Sequence, residues 1–110
     1  MNSIKEIKDF INNNSDCEGC LENFIDKYNT ALENIDFKYV ETLDSDEHRW
    51  YIISTVIYEV IKDNNSLGYI GISEVTTLKS ETSSYEDLYI DIEAFEVKKV
   101  LKESFEIIKE

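Results

Sequence analysis

Few residues in this chain are suited by type and spacing to chemistry: Cys17 and Cys20 in a Cys-Glu-Gly-Cys run, His48 beside Asp46 and Glu47, and two acidic stretches. A CxxC at the start of a helix suits redox chemistry, because the helix dipole favours a thiolate there; Cys17 would attack and Cys20 resolve. A thioredoxin-like site needs a strand upstream within a βαβ unit, however, and only a short helical segment precedes Cys17. Both cysteines also continue an apolar stripe with Leu21 and Phe24, so burial accounts for them. Structural zinc takes four ligands, commonly a second CxxC or a pair of histidines, whereas this chain has one histidine. His48 as a general base would need a nucleophile beside it, and no Ser or Cys stands at a recognisable elbow. Three glycines make no phosphate-cradling loop, and the EF-hand spacing with its central Gly is missing. The chain therefore reads as non-enzymatic, with no metal and no cofactor expected.

The acidic stretches are Glu41, Asp44, Asp46 and Glu47, then Glu81, Glu86, Asp87, Asp91, Glu93 and Glu96. On an extended strand Asp91 and Glu93 point the same way, about 6.6 Å apart, a spacing on the scale of phosphates along a nucleic-acid strand. With Tyr85 and Tyr89 as aromatic anchors, Glu86, Asp87, Asp91, Glu93 and Glu96 are candidates to occupy a basic groove built for DNA or RNA. The plainer reading is the wet face of a sheet.

These residues must be positioned by elements that the patterning suggests. Ser3 and Glu6 have capping-box spacing, and Ile4, Ile7, Phe10 and Ile11 share one helical stripe that ends at Asn12, Asn13 and Asn14. Ser15 and Glu18 repeat the box, after which Leu21, Phe24, Ile25, Tyr28, Ala31, Leu32 and Ile35 predict a second helix reaching residue 35. From Phe37 the period changes to two: Phe37, Tyr39, Glu41 and Leu43 alternate with Lys38, Val40 and Thr42, and Asp44 to Glu47 read as a polar break. Arg49 to Lys62 is apolar on both faces, as a central strand is. Asp63 to Ser66 supply a turn, and Gly68 to Leu78 read as the antiparallel return, with Gly71 allowing a bulge or close approach. Ser83 caps one short turn in the following polar loop, Tyr89 to Glu96 reads as a strand, and the tail from Val97 is assigned to strand over helix on its β-branched residues. The expectation is one α+β domain over residues 1–110, helical to residue 35 and mainly β beyond, with two N-terminal helices packed on a mostly antiparallel sheet of about four strands.

Composition bounds the partners. The chain has 110 residues, 24 Asp and Glu against 11 Lys and Arg, and a formal net charge of −13, with −9 of that beyond residue 35. Phosphate affinity comes from Lys and Arg displacing counterions, so nucleic acid and anionic membranes are disfavoured and a basic protein is attracted. No run approaches the roughly 18 apolar residues of a membrane span, and two cysteines without a leader-like N-terminus suggest a reducing cytoplasm. Arg49-Trp50-Tyr51-Ile52-Ile53-Ser54-Thr55-Val56, with Gly68-Tyr69-Ile70-Gly71 and Ser84-Tyr85-Glu86-Asp87-Leu88, resembles small accessory proteins of bacteriophages and mobile elements across roughly the C-terminal two thirds. Some of those are inhibitors of host defence, including anti-CRISPR proteins. The resemblance implies an inhibitor in the cytoplasm of a bacterial host, blocking a basic, nucleic-acid-binding defence protein such as a CRISPR-Cas effector. A homodimeric interaction module formed by the two-faced hairpin is the alternative, and a CxxC redox or metal protein stands behind it.

Overall fold

The computed structural model describes residues 1–79, 89–100 and 104–108. Ser3 Oγ accepts the Glu6 amide at 3.2 Å, the forward arm of the expected capping box, and the Glu6 carboxylate reaches back one residue past the N-cap to the Asn2 amide at 3.3 Å, starting helix α1, Ile4–Asn14. Its Ile7 and Ile11 are fully buried.

The second helix, α2, is shorter than expected, Leu21–Lys27 with Cys20 at the N-cap. The Ser15–Glu18 pair forms, but it serves a turn rather than a helix start. Ser15 Oγ and the Asp16 amide both donate to the Glu18 carboxylate at 2.8 Å, and Cys17 and Gly19 take positive φ. Glu18 is thereby buried with its charge met by these donors and by Lys27 at 3.4 Å. After Tyr28 the chain continues through turns, with Leu32 N donating to Tyr28 O at 3.1 Å and Ile35 N to Leu32 O at 3.1 Å. Asn29, Thr30 and Asn34 are poor helix formers, and Asn34 at φ 66° ends the coil in the left-handed region that Asn tolerates.

Five antiparallel strands follow in the order β1-β2-β3-β4-β5, one more than expected: β1 Ile35–Glu47, β2 Tyr51–Lys62, β3 Asn65–Leu78, β4 Glu93–Val100 and β5 Ser104–Ile107. Strand β2 is interior, as its two apolar faces predicted. The β1 ladder runs through Asp44 to Glu47 instead of breaking there. Ser45, Ser54 and Thr76 link three strands by hydroxyl hydrogen bonds of 2.8 and 2.9 Å, and His48 stacks on Tyr51 at 4.7 Å, moving the turn to 48–50. Strand β4 starts at Glu93 rather than Tyr89, because Ser15 Oγ takes the Ile92 amide at 2.8 Å and Asn12 bonds both the amide and the carbonyl of Ala94 at 2.7 and 3.0 Å. The described part of the tail is strand, in agreement with its β-branched pattern.

The core lies between the helices and one sheet face. Ile7, Ile11, Leu21, Phe24, Leu32 and Ile35 meet Val60, Ile70, Ile72 and Ala94, and each large aliphatic side chain so buried contributes about 1.5–3 kcal/mol. On the other face Tyr69 packs on buried Phe105 at 5.0 Å. Among the described residues no helix is long and apolar enough to cross a membrane.

Candidate functional site

The first acidic stretch lies along β1, an edge strand, so its outer backbone faces water. Asp44, Asp46 and Glu47 are exposed, as are Tyr39 and Val40 further back along the strand. Glu47 is held by Lys79 at 2.8 Å, and that bond draws its carboxyl below the ordinary value. Asp46 meets His48 Nε2 at 3.1 Å. Asp44 has no ion-pair partner among the described residues and lines a concavity with Lys98 and Glu106, because the sheet curls towards its opposite edge. Glu41 is half-buried, and its Oε1 is enclosed without a hydrogen-bond partner among the described residues.

The second stretch does not make a ladder. Asp91 precedes β4 and accepts the Cys17 amide at 2.6 Å, near Asp16, while Glu93 opens the strand and is exposed. Glu96 pairs with Lys8 of α1 at 3.6 Å. Tyr89 is 80% exposed at φ 53°. Strands β2 and β3 separate this group from β1 in the sheet order. Glu81, Tyr85, Glu86 and Asp87, with the Ser83 cap, lie outside the described residues.

Both thiols are free, and neither is activated. Burial and the carboxylates around them, Asp16 and Asp91 for Cys17 and Glu74 for Cys20, push both above the ordinary thiol value, opposite to what a thiolate nucleophile requires.

The concave feature that patterning missed is a cleft of about 530 Å3 between α2 and β1–β3. Its inner surface carries the buried residues Cys20, Val56 and Glu74; Ile25, Phe37 and Tyr58 form its walls; Tyr39, Glu22 and Asp26 stand at its open side. Glu74 is only 5% exposed. Its Oε1 accepts the Leu21 amide at 2.9 Å and its Oε2 accepts a short hydrogen bond from the Tyr58 hydroxyl. Burial raises the Glu74 carboxyl against the pull of those two bonds, and burial together with Glu74 raises the Tyr58 hydroxyl. Two bulges in β1, at Val40 and Leu43, reset its alternation, so Phe37, Tyr39 and Thr42 all line the cleft although simple alternation puts Thr42 on the other face. Among the described residues the lining includes three acids and no Lys, Arg or His. In comparisons with known proteins, no family model matches the chain, and neither a curated protein nor a solved structure matches it.

Proposed function

We propose that this protein acts by stoichiometric binding, not catalysis, and that its partner is a basic protein which itself handles nucleic acid, such as a defence nuclease of a bacterial host. The observation that carries this reading is the outer margin of β1, where exposed Asp44, Asp46 and Glu47 continue an edge strand that also exposes Tyr39 and Val40. Edge backbone groups offer pairing, the two apolar side chains offer contact area, and the carboxylates set the sign of the partner. A net charge of −13 adds long-range attraction for a basic surface and repulsion of nucleic acid. In an inhibitor of this kind the β1 acids would occupy a groove meant for phosphates.

The test is affinity capture from host lysate at about 50 and 500 mM salt, spanning a roughly threefold change in Debye length. A basic protein retained at low salt and released at high salt is the expected result. Capture of no basic protein at low salt contradicts the reading. The homodimer alternative gains no specific observation, since β2 and β3 are flanked by β1 and β4 and two β1 edges would oppose like charges.

A further inference from the structure

We propose that the cleft between α2 and β1–β3 binds an organic cation, an ammonium or guanidinium group on an apolar stem, supplied as a Lys or Arg side chain of the partner. The chemistry of its lining selects that class. Phe37, Tyr39 and Tyr58 offer aromatic surface, and a cation set over ring faces gains from their quadrupoles, the more so when desolvated. Ile25, Leu21 and Val56 match an aliphatic stem. Glu74 gives a buried charge acceptor at the inner end, and exposed Glu22 and Asp26 give an approach path of the same sign. Among the described residues an anion would meet three carboxylates and no basic group.

Place and size agree with a side chain from a docked protein. Tyr39 and Thr42 belong to β1, so a partner lying along that edge passes the open side of the cleft. A volume of about 530 Å3 falls in the range of ordinary ligand sites and leaves room for an Arg or Lys stem. The two donors already on Glu74 fix its carboxylate in place, leaving further lone-pair positions for a third donor. The assignment of the cation to a protein rests on the reading above; the preference of the cleft for a cation does not.

Binding should also be coupled to a proton. Glu74 shares the cleft with Cys20 at the N-cap of α2, Glu22 and Asp26 of α2, Tyr39 of β1 and Tyr58 of β2, with no fixed positive charge among the described lining residues. A cation arriving there favours the ionised carboxylate, so affinity rises with pH until Glu74 is ionised without it.

The experiment is an amide-resonance titration of the full chain with Nα-acetyl-arginine amide, its neutral isostere Nα-acetyl-citrulline amide, and phenethylammonium. Saturable shifts at Leu21, Ile25 and Phe37 with the arginine probe, at least tenfold weaker with citrulline, are expected. Glu74→Gln should weaken the arginine probe at least tenfold and remove its pH dependence; Asp26→Asn, at an exposed position that leaves the fold intact, should weaken it several-fold. Equal binding of the citrulline probe, or no saturable shift, overturns the cation site. Phenethylammonium binding tenfold more tightly than the arginine probe overturns its presentation on a protein and assigns the cleft to a free amine. Neutralising Asp44, Asp46 and Glu47 should weaken partner capture while leaving the probe titration unchanged, so failure of the docking surface and failure of the cleft give different results.

Discussion

The most consequential single residue is Glu74. Its carboxyl is buried, bonded by Tyr58 and by the Leu21 amide, and raised above its ordinary value of 4.5 mainly by burial. Because the folded value exceeds the unfolded one, the folded state holds more proton between them. The contribution of Glu74 to stability is thus full below about 4.5 and declines as pH rises through the raised folded value. Glu74→Gln keeps both bonds, since the Tyr58 hydroxyl can accept from the new amide. Urea midpoints measured at several pH values should show the variant gaining on the wild type as pH rises; a constant difference would mean Glu74 is not raised. Tyr58→Phe removes a donor from a buried carboxylate and should cost about 1–3 kcal/mol at neutral pH by urea titration. Period two from Ile70 and Ile72 puts Glu74 on the core face of β3, but its burial rests on partners distant in the sequence, the Leu21 amide at the start of α2 and the Tyr58 hydroxyl. Glu18 was legible as half of a box with Ser15, but its role in closing a turn was not.

At the scale of elements, the first cap and part of the expected 63–66 turn formed, while the Ser15–Glu18 box and the Asp44–Glu47 break did not act as read. The Ser3–Glu6 cap starts α1, and the Asp63–Asn64 turn closes β2 onto β3 with φ of 51° and 68°, the left-handed pair of a two-residue hairpin. Asn64→Gly should therefore raise stability by up to about 1 kcal/mol, whereas a β-branched residue there should lower it; thermal melts of the two variants decide. Gly71 was expected to mark a close approach, and a Cβ at that position would lie 3.1 Å from Val97 Cγ1, in the facing part of β4. Gly71→Ala should destabilise by about 1–3 kcal/mol through overpacking, visible as an earlier urea midpoint. What local pattern could not supply were features set by neighbours across the fold. The apolar stripe from Leu21 to Ile35 exists, but Leu32 and Ile35 reach the core from turns and from β1. The β1 bulges change which residues face the cleft, and no spacing in that strand signals them. The late start of β4 comes from Asn12, some eighty residues earlier in the chain.

At the scale of the whole molecule the charge is divided by use. Several acids are spent internally: Glu18 and Asp91 brace the 15–20 turn, Glu96 holds α1 through Lys8, and Glu74 sits in the cleft. The margin of β1 remains outward, and there the acidic composition becomes a directed surface. Composition led to the expectation of a basic partner but spread the candidate face over two stretches that the sheet order keeps apart. The central claim is that this margin binds a basic protein by charge complementarity. Its most direct test is the dissociation constant of the captured partner as a function of salt, for the wild type and for Asp44→Asn, Asp46→Asn, Glu47→Gln combined. The account predicts steep weakening with salt for the wild type, and for the variant a weaker affinity at low salt with a flatter dependence. Equal affinities with equal salt dependence in the two proteins would contradict it.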